Sequence, residues 1–171
     1  MASTLGFEVI RNAVPSDLVK KGADALPKQT QHRREKYDAY EVPYECHVIR
    51  DKFISKDADK VALIELLKPK PIPLKPNYIF AGIFRETDAD PSKLKTAEEG
   101  EVYVTIALTN LNSNNGWYTF YAGSRKNEPM TCSHPVALDL RAGDAVIWRG
   151  DLIYFHSPGG GGAFETLVYN K

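Results

Sequence analysis

Tyr154 and His156 stand two residues apart in the C-terminal third of the chain, and Glu165 follows on the next β-like segment. On a strand, residues i and i+2 share a face about 6.6 Å apart, close enough for a phenol and an imidazole to act on one substrate as acid and base. Glu165 would add a carboxylate, so proton transfer is the first chemistry these side chains suggest. The plainer role for His156 is to line a pocket or its rim. His32, His47 and His134 fall in no ligand-like spacing and read as surface or turn residues. Cys46 and Cys132 lie far apart, with neither metal-ligand spacing nor a disulfide framework. They read as inert packing thiols in a reducing cytosol. The run Gly159 to Gly162 is not a phosphate loop, because no Lys-Ser/Thr follows it. Four consecutive glycines predict a mobile turn.

The elements that must position these residues are bounded by composition. A chain of 171 residues, 43% hydrophobic and 11% aromatic, can bury one core. We therefore expect a single domain, 1–171, with a strand, helices and a Pro-rich connector in 1–76 and a β core in 77–171. Twenty-two basic residues balance twenty-two acidic ones, which leaves no electrostatic footprint for nucleic acid or an anionic membrane. Glu65 interrupts the longest aliphatic stretch, Val61 to Leu67, which is too short to span a bilayer. Met1 to Phe7 lacks the basic start and apolar run of a secretory signal, so a cytoplasmic location is expected.

Gly6 to Ala13 reads as a short strand, and a helix opens at Pro15-Ser16, with Ser16 as N-cap, and runs through Leu26. Lys28 to Tyr40 is dense in charge and predicts an exposed connection. Asp57 or Asp59 can cap a second helix through Leu67, which Pro69, Pro71, Pro73 and Pro76 terminate. From Asn77 the texture is β: Tyr78 to Arg85, Glu101 to Asn110, Trp117 to Tyr121, Val136 to Leu140, Ala145 to Trp148 and Phe164 to Tyr169. Short aromatic and β-branched runs between Asn-Gly, Ala-Gly and Gly-Gly turns predict an all-β sandwich or barrel. Alternation puts Trp117, Thr119 and Tyr121 on one face and Tyr118 and Phe120 on the other. Only one face can pack inward, so Trp117, Tyr118, Phe120 and Tyr121 are the expected partner contacts.

Two segments carry a family resemblance. Asn114-Asn115-Gly116-Trp117-Tyr118-Thr119-Phe120-Tyr121-Ala122-Gly123-Ser124-Arg125-Lys126 resembles the "NNGxLxxxPGTHK" segment of the phytanoyl-CoA dioxygenase-like branch of the Fe(II)/2-oxoglutarate oxygenases. Gly143-Asp144-Ala145-Val146-Ile147-Trp148 through Gly150-Asp151-Leu152-Ile153-Tyr154 resembles that family's "GDxVxF…LLIH". The resemblance implies a mainly β double-stranded β-helix, a cupin-like jelly roll, behind a short N-terminal helical layer. It also implies a facial triad of two imidazoles and a carboxylate, which leaves three iron positions for 2-oxoglutarate and dioxygen. Laid on without a gap, the family's second iron-binding His falls on Tyr154, a poor ligand until its phenol, of pKa about 10, is deprotonated. The Arg that holds 2-oxoglutarate falls on Glu165, and two carboxylates ~4 Å apart at an effective dielectric near 20 repel by about 4 kcal/mol. Where the family has His-x-Asp, this chain has Arg85 to Asp90 without a His. Glu86/Asp88 or Asp88/Asp90 are the fallback carboxylates, with His156 reaching the metal by a register slip; the simpler reading is an acidic loop.

Three functions follow from these readings. In the first, the chain is a degenerate oxygenase relative with no cofactor, the supporting subunit of an active homologue in secondary-metabolite tailoring, or self-associating. In the second, it is a redox-independent isomerase or cyclase using Tyr154, His156 and Glu165. In the third, it is an oxygenase that binds Fe(II) and 2-oxoglutarate at an acidic-plus-His site.

Overall fold

The computed structural model describes residues 4–55, 57–67, 75–88, 90–130 and 133–170. Cys132, Pro69, Pro71 and Pro73 lie outside the described residues. The chain opens with β1 (Phe7–Ile10) and α1 (Ser16–Ala25), which a 3-10 turn (Leu26–Lys28) closes. Pro15 holds the position before the helix, with ψ at 139°, and no side chain caps it. Ser16 is thus the first helical residue and not the cap. Lys28 to Tyr40 also departs from expectation, because it folds into a hairpin of β2 (Gln31–Arg33) and β3 (Tyr37–Tyr40). Tyr37 and Tyr40, three apart on the strand, anchor β3 in the two cores on its opposite faces. Two further helices follow, α2 (Tyr44–Ile54) and α3 (Asp57–Leu67). Helix α2 was not anticipated, although Cys46, Ile49 and Phe53 form its buried stripe at helical spacing.

The remaining strands are β4 (Tyr78–Phe84), β5 (Glu101–Ala107), β6 (Tyr118–Ala122), β7 (His134–Ala137), β8 (Ala145–Arg149), β9 (Tyr154–His156) and β10 (Ala163–Asn170). They form a seven-stranded sheet, β1-β8-β5-β10-β4-β3-β2, and a three-stranded sheet, β7-β6-β9, with antiparallel pairing. This is the expected jelly roll with a helical layer. One face of the large sheet packs on the helices through residues such as Val104, Ile106, Ile147 and Leu167. The other face meets the small sheet across an aromatic core that includes Phe84, Tyr103, Phe120, Trp148 and Phe164. No helix among the described residues is long and apolar enough to cross a membrane.

The aromatic hairpin belongs to that core. Trp117 and Phe120 are fully buried and Tyr118 nearly so, which corrects the expectation that they are open to a partner. Tyr118 and Phe120 point between the sheets, and Trp117 stacks on Tyr118 at 4.5 Å. Of the four, only Tyr121 is half-exposed, against Phe155 on the outer face of the small sheet.

The glycine run is likewise a packed junction and not a mobile turn. Gly159 exchanges main-chain hydrogen bonds with Thr87, Gly161 N–H donates to Phe84, and Gly162 N–H donates to Asn115. A Cβ at Gly160 would lie 2.4 Å from the Glu86 amide nitrogen. Backbone stands where a side chain would go, so Gly160→Ala should lower unfolding free energy by about 1–3 kcal/mol, the usual penalty of overpacking, measured by urea titration. An unchanged midpoint would mean that the junction gives way easily.

Strand β10 settles the position of Glu165. Ala163, Leu167 and Tyr169 face the helices, while Phe164 and Val168 face the aromatic core. Glu165 therefore lies on the helix side, opposite Ile106 and Ala81, and is fully buried. Burial pushes its carboxyl well above the ordinary range; Cys46 beside it and Arg50 oppose this, yet neither carboxyl oxygen has a hydrogen-bond partner of normal geometry. A carboxyl whose folded pKa is raised contributes stability that is complete below its unfolded pKa, about 4.3, and is lost as pH rises toward the folded value. Wild-type stability should fall above that pH by up to about 1.4 kcal/mol per pH unit from this group. Glu165→Gln should flatten the fall, so that chemical denaturation at pH 5 and pH 8 shows a larger gain for the variant at pH 8. A gain equal at both would show that Glu165 ionises freely in the fold.

Candidate functional site

The small sheet is two-sided at its edge strand β9, where pairing sets Tyr154 opposite Phe120 and His156 opposite Tyr118. Paired residues share a face, so both Tyr154 and His156 project between the sheets. There they line a cavity of about 480 Å³ together with Tyr37, Phe80, Tyr103, Tyr118 and Trp148. The ring of Tyr118 lies 4.4 Å from that of Tyr154 and 4.9 Å from His156, and Tyr154 and His156 are 5.9 Å apart. The shared face expected for Tyr154 and His156 is therefore present, whereas Glu165 is on the far side of the large sheet. It cannot join them.

Burial sets the charge of this wall. It lifts the Tyr154 hydroxyl to about 12 and the Tyr118 hydroxyl well above the usual tyrosine value. It lowers His156 to about 4, with Lys95 and Lys36 adding to the effect and a hydrogen bond to the Gly116 carbonyl resisting it. His156 is thus neutral at neutral pH, and its Nδ1 has no hydrogen-bond partner. The cations of the cavity, Arg34, Lys36 and Lys95, stand at its rim, where Lys95 Nζ meets Glu35 Oε2 at 3.3 Å. Deeper in the barrel the polar groups are neutral: Thr105 and Thr166 hydroxyls lie 3.1 Å apart, and Trp148 Nε1 donates to Thr105 at 3.1 Å.

The acidic segment does not complete a metal site. Glu86 and Asp88 are exposed, and Asp90 accepts from the Ser92 amide at 3.1 Å and hydroxyl at 2.5 Å, a turn contact. Among the described residues, no three His, Cys, Asp or Glu side chains gather as a metal site. His156 is instead ringed by Phe84, Tyr118 and Tyr154. One imidazole with aromatic neighbours, and no cation in the barrel interior at β10, is a donor set that does not fit iron with 2-oxoglutarate.

The two motifs that carry the family resemblance turn out to hold backbone. Asn115 accepts from the Asn112 amide at 2.9 Å and donates to the Asn110 carbonyl at 2.6 Å, shaping the turn that docks on the glycine junction. Gly143 has φ of 96°, and Asp144 behind it accepts from Arg11, the Asn12 amide and the Arg141 amide. Those bonds outweigh burial and hold the Asp144 carboxyl below its ordinary range. Sequence reasoning missed Tyr37, Tyr103 and Lys95 as cavity residues. The signal for the neighbouring wall was the alternation of Tyr78, Phe80 and Phe84 on β4.

The sequence matches no protein family and no curated protein. The backbone does match crystal structures. The non-heme α-ketoglutarate-dependent epimerase SnoN from nogalamycin biosynthesis aligns with a TM-score of 0.70 at 11% identity, over 96% of this chain and 76% of that one. HygX from Streptomyces hygroscopicus, with nickel and 2-oxoglutarate bound, aligns with a TM-score of 0.70 at 12% identity, over 98% and 83%. A Pseudomonas putida prolyl-4-hydroxylase aligns with a TM-score of 0.60 at 12% identity, over 98% and 94%. At such identities the likeness is one of architecture, and the chain shares the jelly-roll fold of these proteins.

Proposed function

We propose that this chain is a catalytically degenerate protein of the 2-oxoglutarate oxygenase fold, derived from the phytanoyl-CoA dioxygenase-like branch, that binds a small molecule without iron. The observation that supports this is the surroundings of His156: aromatic rings in place of carboxylates, in a cavity whose cations are confined to its rim. A cavity of about 480 Å³ is within the ~300–1,000 Å³ range of small-molecule sites. Its wall can exclude water and stack on a ligand. The biological setting we propose is support of an active homologue in secondary-metabolite tailoring, with SnoN's place in nogalamycin biosynthesis as an analogy of fold. The aromatic hairpin no longer supplies the partner surface for that role, so the role rests on the sequence resemblance.

A second reading keeps one specific observation. Tyr154 and the neutral His156 share a wall, and one His156 ring nitrogen is unpartnered, which is the arrangement that a redox-independent isomerase or cyclase would use. Glu165 drops out of it. The third reading, an oxygenase with Glu86, Asp88, Asp90 and His156 on iron, gains no support from the geometry.

Protein purified and then incubated anaerobically with Fe(II) should retain far less than one iron per chain by elemental analysis. It should form no succinate from 2-oxoglutarate when air is admitted. One retained iron together with succinate formation would overturn the binding reading. In a pathway assay, His156→Ala should leave turnover by the homologue within a few-fold; a loss of ~10² or more is the mark of an acid–base group and would favour the isomerase reading.

A further inference from the structure

The cavity is chemically uneven from floor to mouth. Its wall is of rings that largely cover one another, with Tyr103 on Trp148 at 4.6 Å and both Trp117 and Tyr154 on Tyr118 at 4.5 and 4.4 Å, so the ring faces it offers are those of the half-buried Tyr37 and Phe80. Its mouth offers charge, with Arg34, Lys36 and Lys95 against Glu35 among the described lining residues, while Glu101 accepts from the hydroxyl of Tyr103. Lys95 is fixed beside the wall because its main chain exchanges hydrogen bonds with that of Tyr154, at 2.8 and 2.9 Å. Glu35 is fixed too, since Arg85 holds the β2–β3 turn by the Arg34 carbonyl at 3.0 Å and the Glu35 carbonyl at 3.3 Å. The Lys95–Glu35 ion pair therefore spans the mouth from one side to the other. Both partners are solvent-accessible, 33% and 63%, so the pair is weak and a ligand anion can compete for Lys95. An organic cation would suit the rings but would face three positive side chains at the mouth. An aliphatic acid would suit the mouth and leave the ring faces without a stacking partner.

We propose that the cavity takes a planar aromatic carboxylate, its rings against the half-buried Tyr37 and Phe80 and its carboxylate in the place of Glu35 on Lys95. This rests on the binding reading above and names its ligand class. The test is calorimetry at low salt with four probes: 2-naphthoate, the neutral 2-naphthylmethanol, the cationic 2-naphthylmethylammonium and the aliphatic octanoate. The expected result is that 2-naphthoate binds at least tenfold more tightly than each of the others. Lys95→Met should weaken it about tenfold, and Glu35→Gln should strengthen it several-fold by removing the internal competitor. Both positions are solvent-accessible, and circular dichroism confirms folding. Equal affinity for naphthoate and naphthylmethanol, or a Lys95→Met variant that is folded and binds unchanged, would overturn the proposal. Failure of naphthoate to bind a chain that also holds no iron overturns the ligand class alone. Iron retention with succinate formation overturns the reading beneath it, whichever probes bind.

Discussion

β10 lies between β5 and β4 with both faces covered, and each of its residues from Ala163 to Tyr169 must serve one of two different cores. A slip of one residue would send Leu167 and Tyr169 into the aromatic core and Phe164 and Val168 under the helices, so the register is strongly held. Glu165 is carried to its place by these neighbours. Its burial without a hydrogen-bond partner of normal geometry is a burden that the strand tolerates because the residues around it fit. The same parity turns Phe164 and Thr166 toward the interior, where a cosubstrate-binding cation would have to project. The chemistry of the site is thus decided by a packing constraint on its central strand.

The motifs that carry the resemblance follow the same logic. A positive φ at Gly143, the three bonds to Asp144 and the side-chain clasp of Asn115 hold the backbone of this chain in its turns. Losing Asp144 would remove one acceptor of Arg11 and an acceptor of the Asn12 amide, just beyond the pairing of β1 with β8. Groups that only bind a metal or an acid carry no such load. Likeness in such scaffold motifs therefore speaks for the fold and not for an activity.

That division explains how much was legible. The strands from Tyr78 onward, β9 excepted, were readable because aromatic and β-branched runs end in turns whose residue types have a conformational cause, and the family resemblance narrowed the sandwich or barrel they imply to a jelly roll. The shared face of Tyr154 and His156 was readable because two-residue spacing within one strand preserves direction. The face of Glu165 was not, because the count from Tyr154 crosses the loop from Pro158 to Gly162, and a loop transmits no alternation. The β2–β3 hairpin was hidden because Gln31, His32 and Arg33 are all exposed, leaving Tyr37 and Tyr40 as its large apolar anchors. Helix α2 was legible in principle, with Pro43 before it and Cys46, Ile49 and Phe53 in register. Trp117 looked surplus because sequence cannot show how deep a seam lies between two sheets.

The electrostatics of the cavity bear on the choice between binding and acid–base catalysis. A catalytic acid and base work best with pKa values near the working pH, but Tyr154 is pushed up to about 12 and His156 down to about 4. At neutral pH the phenol is held protonated and the imidazole is held neutral, each far from the point at which it exchanges a proton readily. Catalysis by this pair would require the ligand itself to reset both values. An anion at the mouth would offset the fields of Lys95 and Lys36 on His156, yet burial, the larger cause of its low value, would deepen as the ligand excluded water. Binding asks for no such reversal: a neutral wall that stays neutral loses no charge solvation when a flat ring displaces the water against it.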